Sequence, residues 1–269
     1  MKVLCVAGIF WAQGLLGQSM HPFSVPVESA MLVTDQFSDP INCFQHPAAF
    51  AQQKSVAGIL FSEKHFGLQE LNTFSAVIAF PLSHSGVGVL LNSRGMEGFR
   101  EGRVSLGYAR HLGKLSLGAQ FNYTSINATG YGNSSVISAG ASICWWLSNK
   151  LIIGVSINDP GNPEFSKSEE RLAWVYKMGL GCELSDKVLI AINLKKVQEQ
   201  KASVEFDLIY KLLERFYFRA GYLTEGGVPY VTAGWSWKSF RMEACTKYHI
   251  QLGFSPGVLL LFSLQKKAA

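Results

Sequence analysis

Residues 115–124 read LSLGAQFNYT, and this stretch decides the fold. Apolar side chains stand at every second position from Leu115 to Tyr123, and Ser, Gly, Gln, Asn and Thr fill the positions between them. A period of two residues places these two sets on opposite faces of a β-strand. The stretch therefore predicts a sheet that is apolar on one face and polar on the other.

The same alternation recurs from residue 54 to the C-terminus. In Ala202 to Lys211, for example, apolar residues oppose Ser203, Glu205 and Asp207. Runs of about ten residues match tilted strands that cross a bilayer. We predict about fourteen such strands, at 54–63, 71–81, 85–94, 102–111, 115–127, 135–147, 151–158, 172–183, 188–196, 202–211, 215–222, 229–238, 240–248 and 257–265.

The connections between these runs alternate between very short and longer. Short ones lie at 82–84, 112–114, 148–150, 184–187, 212–214 and 239, and longer ones at 65–70, 95–101, 128–134, 159–171, 197–201, 223–228 and 249–256. Short turns at one end and longer loops at the other are typical of outer-membrane barrels, whereas a Greek-key sandwich has no reason to alternate in this way. The sequence predicts an all-β, antiparallel, up-and-down transmembrane barrel with both barrel ends on the short-turn, periplasmic side.

Composition agrees with a membrane barrel and argues against a nucleic-acid partner. Hydrophobic residues make up 48% of the chain and charged residues only 16%, against roughly a quarter charged in soluble domains. The sequence contains no run of about 18 apolar residues, so no transmembrane helix is predicted. The net charge of +5 is scattered rather than clustered, so no nucleic acid is expected to bind.

The chain divides into three predicted parts. Residues 1–17 are interpreted as a signal peptide, with Lys2 before an apolar stretch and cleavage near Gly17; a short buried strand or helix is the alternative. Residues 18–53 are rich in proline, which argues against regular strands and predicts a plug or periplasmic lead-in. Within it Pro47 is placed to begin a small helix. Residues 54–265 form the predicted barrel.

The cost of exposing charge to lipid orients the strands. An unpaired charge facing hydrocarbon costs about 2–4 kcal/mol at the midplane, so the apolar faces must point outward. The lumen then receives a charge network of both signs, which favours a packed or plugged interior. Its predicted members are Lys177, Glu205, Asp207, Arg241, Glu243 and Lys247, together with Glu183 and Lys195. Arg215 and Arg219 stay open, because Tyr217 shares their face.

The sequence offers no convincing catalytic, cofactor or metal site, and none is predicted. Gly253-Phe-Ser-Pro-Gly257 matches the Gly-x-Ser-x-Gly hydrolase pattern, but that pattern needs a following helix and here an apolar strand follows. No His-x-x-His spacing occurs. The cysteines Cys43, Cys144, Cys182 and Cys245 are too far apart for a CxxC site, and their disulfide state is left open.

Several short segments carry a resemblance to a known family: His46-Pro-Ala-Ala-Phe-Ala51, Phe66 to Asn72, Leu106 to Arg110, Leu115 to Gly118, Gly130 to Asn133 and Phe218 to Tyr222. Together they resemble the PorV/PorQ type of barrel from Bacteroidota, relatives of the FadL-like transporters with fourteen strands. The plug element would be His46, Pro47 and Ala48. His46 stands where the family usually has Asn, so a role tied to that Asn does not carry over.

The resemblance implies a Gram-negative outer membrane of the Bacteroidota kind. Our leading hypothesis is a PorV-like accessory barrel that binds other envelope or secreted proteins, linked to type IX secretion or another outer-membrane complex. The second is a FadL-like conduit for small hydrophobic molecules, and the third is an enzyme site at the barrel rim. Outer-membrane lipids are expected partners in every case.

Overall fold

A computed structural model describes residues 29–68, 70–130, 132–166 and 170–264. The predicted signal peptide and the first part of the predicted plug lie outside these residues. The described chain forms a closed barrel of fourteen antiparallel strands, in which each strand pairs with its neighbours in the sequence and β1 closes the barrel against β14. This confirms the predicted fold class and strand number.

The strands are β1 (Val56–Lys64), β2 (Asn72–Leu82), β3 (Ser85–Met96), β4 (Phe99–Leu112), β5 (Leu115–Ala128), β6 (Gly132–Ser148), β7 (Leu151–Asn158), β8 (Val175–Ser185), β9 (Val188–Val197), β10 (Ser203–Leu213), β11 (Phe216–Leu223), β12 (Val228–Trp237), β13 (Phe240–His249) and β14 (Gly253–Leu264). Three 3-10 helices precede them, at Asp35–Phe37, Pro40–Phe44 and Pro47–Gln52, and two further single turns lie in the loops. Among the described residues, no helix has the length and apolar character needed to span a membrane.

The predicted alternation sets the two faces of the wall. In β5, Phe121 points outward and is 69% exposed, whereas its neighbour Asn122 points inward and is 1% exposed. The register carries this alternation around the barrel, because directly paired residues share a face: Phe121 pairs with Leu106 on β4 and Ala139 on β6. The outer surface of the wall is therefore apolar and the inner surface is polar.

Three of the longer connections predicted from the sequence, 95–101, 128–134 and 249–256, are wrong. Met96 pairs with Phe99, Ala128 with Gly132 and His249 with Gly253, so all three connections are tight hairpins. Gly98 and Gly130 take φ values of 84° and 86° in these turns, a conformation that glycine adopts without steric cost. The hairpins extend the barrel wall on the side opposite the predicted short turns.

A plug, made of the described residues 29–53, fills the short-turn end of the lumen. Its side chains Ile41, Cys43, Phe44, Ala49 and Phe50 form one buried cluster with inward residues of β1, β2, β3, β4 and β14. A second cluster joins Met31, Leu32 and Ala48 to β6 and β7. This end of the barrel thus has a core of its own, which is unlike the water-filled interior of an open porin.

Inward glycines make room for the plug. A Cβ atom added to Gly86 would lie 1.9 Å from the carbonyl oxygen of Phe50, and one added to Gly118 would lie 2.3 Å from the backbone nitrogen of Ala48. Both clashes are with backbone atoms, so no change of rotamer would relieve them. Gly181 receives the backbone of Leu32 in the same way, 2.4 Å from such a Cβ. These glycines fix the path of the plug along the wall.

Candidate functional site

The loop-side half of the lumen encloses a cavity of about 520 Å³, here called the vestibule. Its floor is formed by Phe44 and Gln45 of the plug, and its rim includes His65, Phe66 and His249. The volume falls within the range of small-molecule sites, roughly 300–1,000 Å³. The walls combine apolar residues (Leu90, Val175, Leu223, Val228) with polar and charged ones (Glu63, Asn92, Arg94, Arg103, Ser105, Gln120, Asn158, Asp159, Lys177, Asn193, Lys195, Gln200, Glu205, Glu225, Lys247, Ser255).

Ion pairs of opposite sign line the vestibule wall. Nη2 of Arg103 on β4 lies 3.0 Å from Oδ2 of Asp159, directly after β7. Asp159 also accepts hydrogen bonds from the Ser138 hydroxyl and the Asn122 amide. Lys247 on β13 is 3.1 Å from Glu63 on β1. Buried charges of this kind are tolerated because each has a partner of opposite sign.

The eight predicted lumen residues all face the interior, at two levels. At the upper level Lys177, Lys195, Glu205 and Lys247 line the vestibule, and Lys177 Nζ donates to Oε1 of Gln45 over 3.0 Å. At the lower level Glu183, Asp207, Arg241 and Glu243 lie at the height of the plug, where the Thr34 hydroxyl donates to Glu183. There the Tyr230 hydroxyl donates to Asp207, and Arg241 Nε lies 2.9 Å from Glu243.

Arg241 also joins the wall to the plug. Its Nη2 lies 2.6 Å from Oδ1 of Asp39, the residue that caps the 3-10 helix Pro40–Phe44 by accepting from the Ile41 backbone N–H. The nearby Arg241 charge and this hydrogen bonding lower the pKa of Asp39 despite its burial, which opposes the shift and is the largest single effect. The plug therefore carries a buried carboxylate matched to an arginine of the wall.

The predicted plug element, His46, Pro47 and Ala48, lies against β5 and β6. The Ala48 N–H donates to the Ser142 hydroxyl over 2.7 Å, and Nδ1 of His46 lies 3.7 Å from Sγ of Cys144. Burial lowers the pKa of His46 to about 4; the charge of Lys177 acts in the same direction, and a hydrogen bond with the backbone of Met31 opposes it. His46 is therefore a neutral, packed side chain at neutral pH.

Sequence reasoning missed the half of the vestibule formed by β1, β3 and β4. Glu63, Arg94, Glu101 and Arg103 stand at inward positions that the alternation could have assigned. Asp159 could not have been found in this way, because it lies outside any strand and is placed by a positive φ of 55°. The structure also decides the two open cases: Arg219 is buried in the lumen at 3% exposure, whereas Arg215 is exposed in the turn between β10 and β11.

The hydrolase-like pattern at Gly253 to Gly257 lacks the following helix that such a motif requires. Gly253 to Gly257 lies within β14, where the sequence analysis placed a loop up to residue 256, and the buried Ser255 hydroxyl accepts from the Phe66 N–H over 2.9 Å. No group of three described His, Cys, Asp or Glu side chains is arranged to hold a metal ion. The four described cysteines are free thiols.

The outer surface has the charge distribution of a membrane-embedded wall. The described strands carry outward charges at only four positions, namely Lys64, Arg100, Arg110 and Lys196, all of them near strand ends. Arg100 and Arg110 bracket the apolar positions of β4, and ten residues of a tilted strand rise by about 25 Å. That height matches the apolar band of outer-membrane barrels. The fold and the lumen together define a plugged transmembrane β-barrel.

Comparison with known proteins identifies solved structures that share the fold of this plugged barrel. No family model and no curated protein sequence matches the chain. Among solved structures, the Pseudomonas putida toluene transporter TodX is similar with a TM-score of 0.64 and 10% identity, over 92% of this chain and 99% of that one. The CymD monoaromatic hydrocarbon channel is similar with a TM-score of 0.61 and 13% identity, over 90% of this chain and 96% of that one.

A Pseudomonas aeruginosa FadL homologue is similar with a TM-score of 0.54 and 10% identity, over 84% of this chain and 93% of that one. At such low identity these likenesses show a shared fold. The chain therefore has the fold of FadL-like outer-membrane barrels, which confirms the broader part of the resemblance drawn from the sequence. The narrower PorV/PorQ assignment stays a prediction.

Proposed function

We propose that this protein is an outer-membrane conduit for small, largely hydrophobic molecules, which enter the vestibule from the loop side. The observation that carries the proposal is a cavity of about 520 Å³ inside the barrel that ends on the plug. A cavity of this size, open at one end and bounded by the plug at the other, suits a path with a closed resting state. The fold shared with a toluene transporter and a monoaromatic hydrocarbon channel supports the same class of permeant.

The lining suggests the chemistry of the permeant. Phe44, Phe66 and Leu90 give apolar contact at the floor and on the walls, while Asn92, Gln120 and Asn193 offer neutral hydrogen-bonding groups. The charges of the wall are held in ion pairs such as Lys247 with Glu63. A mainly apolar molecule with one small polar group fits such a lining, because the paired charges need not be separated to admit it.

The proposal is tested by a substitution that narrows the vestibule at an inward-facing position of the wall. In Gln120→Trp a large ring would enter the cavity, whereas Phe121→Trp on the outward face of the same strand is the matched control. We expect uptake of labelled cresol, an apolar ring with one hydroxyl group, by intact cells to fall in the first variant because the indole ring narrows the cavity, and to be unchanged in the second. Equal uptake by the two variants, at equal amounts of folded protein, would contradict the conduit.

A location in the outer membrane of a Gram-negative cell is part of the same proposal. It is supported by the shared fold and by the apolar band between Arg100 and Arg110. Origin in a Bacteroidota-like organism rests on the sequence resemblance. Sedimentation of the native protein with outer-membrane vesicles tests the location, and recovery in the soluble fraction would contradict it.

The second candidate is the accessory role, in which the barrel binds other envelope proteins or type IX secretion cargo. The observation in its favour is the filled lower lumen: Thr34 donates to Glu183 over 2.7 Å, and Ala48 to Ser142 over 2.7 Å, so the plug is fastened to the wall at several points. A barrel closed in this way would act through its surface. Gentle detergent extraction followed by mass spectrometry tests it, and recovery of a barrel without a stoichiometric protein partner would count against it.

A further inference from the structure

The outer face of the wall carries a groove of about 520 Å³, separate from the lumen. Its floor consists of small outward residues on β1 to β5: Ser62, Ala76, Ser93, Gly102 and Ser125. Large outward side chains form its sides, namely Leu60, Phe74, Leu91, Val104, Tyr123, Val258 and Leu260. This outer groove is therefore an apolar channel in the face that meets hydrocarbon.

The register places the outer groove at the boundary of the apolar band. Ser62, Phe74, Ser93, Gly102 and Ser125 are direct partners across successive strands and form one row. Apolar side chains such as Leu91 and Val104 fill the next outward row towards the short turns. The groove thus begins among acyl chains and ends at the height where the surface becomes polar.

The next outward row towards the loops is polar and basic. It runs through Lys64, Asn72, Gly95, Arg100 and Asn127, which are again direct partners. Lys64 and Arg100 are both exposed. Three strand spacings separate them, about 14 Å, so two long flexible cations stand on either side of the upper end of the groove. The neighbouring acidic residues of the loops, Glu70 and Glu97, lie beyond this row.

We propose that the outer groove binds an anionic, phosphate-bearing lipid of the outer leaflet, with an acyl chain on the small-residue floor and the headgroup phosphate between Lys64 and Arg100. Charge complementarity selects this occupant, because every outward charge on the described strands is positive. A cation near the membrane surface attracts an anionic lipid. A zwitterionic lipid such as phosphatidylcholine also brings a phosphate, but its own ammonium group offsets the attraction to the two cations. The site lies outside the lumen, so the proposal that it binds lipid does not depend on the proposed conduit function.

Native mass spectrometry of the detergent-solubilised full chain tests the proposal with two probes that share their acyl chains, dimyristoyl phosphatidylglycerol and dimyristoyl phosphatidylcholine. We expect the wild type to retain the anionic lipid about tenfold better. The double variant Lys64→Gln, Arg100→Gln should lose this preference. Arg110→Gln, at the other end of β4, is the matched control and should keep it.

A second variant tests the acyl-chain part of the groove. A Cβ at Gly102 would meet Ser125 Oγ at 3.5 Å, an ordinary contact, so Gly102→Leu should fill the floor without disturbing the strand. We expect it to reduce retention of both lipids, with heat-modifiable migration on gels reporting an intact barrel. Equal retention of the two lipids by the wild type would overturn the proposal. The proposal would also be overturned if Arg110→Gln lost the preference for the anionic lipid as fully as the double variant does. The same holds if glycerol 3-phosphate, which has no acyl chains, displaced the bound lipid, or if a co-purifying protein occupied the groove and the added lipid displaced it.

Discussion

The buried side chain of His46 makes the stability of the whole barrel depend on pH. Its imidazole has a pKa of about 4 in the folded chain, compared with 6.5 for an exposed histidine. Between these values the unfolded chain binds a proton that the folded chain does not, so stability must fall as the pH drops from 6.5 towards 4. The loss attributable to His46 is on the order of 3 kcal/mol.

The comparison of wild type with His46→Asn isolates this effect, because the two proteins share every other side chain. We expect the difference in free energy of unfolding between the two, measured by urea titration in detergent micelles, to shift in favour of the variant as the pH is lowered from 7 to 4. A difference that is constant with pH would show that His46 is accessible to protons in the folded state.

At the scale of one element, the connection after β7 is held inward by Asp159. This residue has a φ of 55°, a conformation that asparagine also tolerates, so Asp159→Asn removes the charge while it keeps the backbone. The buried guanidinium of Arg103 would then lose its carboxylate partner. We expect a cost of about 3–5 kcal/mol in the free energy of unfolding, measured by urea titration.

Two controls separate the buried pair from the loop that contains it. The double variant Arg103→Gln, Asp159→Asn removes both charges and should recover much of the loss. Glu164→Gln breaks the exposed pair with Arg171 in the same loop and should cost less than about 1 kcal/mol. Equal costs for Asp159→Asn and Glu164→Gln would mean that the vestibule wall is as well solvated as the surface.

Individual strands were largely predictable from the sequence, and their loop-side ends were not. Alternation identified β5 and β10 because lipid contact demands an apolar residue at every second position. Beyond the bilayer both faces meet water, so Arg100 and Asn127 can stand on the outward face of a strand that still pairs fully. The period of two then loses its hydrophobic signal, and the ends of β3 to β6 were taken for loops.

At the scale of the molecule, the candidate site depends on contacts that no local pattern contains. The inward position of Lys177 follows from alternation, but its bond to Gln45 joins residues 132 positions apart. The plug path is encoded by Gly86, Gly118 and Gly181, and each glycine is informative only once the register brings the plug beside it. The sequence could therefore predict which side chains enter the lumen, and the closed barrel decides which of them meet.

The orientation of the whole wall in lipid gives the last prediction. Leu106 is an outward residue midway between Arg100 and Arg110, and Leu112 is an outward residue at the short-turn end of the same strand; both are exposed to the surroundings of the barrel, at 58% and 48%. We expect Leu106→Arg to lower the free energy of unfolding from lipid vesicles by about 2–4 kcal/mol and Leu112→Arg by at most about 1 kcal/mol. Guanidinium titration in vesicles measures both, and repeating it in water-permeable micelles should reduce the difference. Equal costs in vesicles would place Leu106 in water, and the barrel would then not span a bilayer at this height.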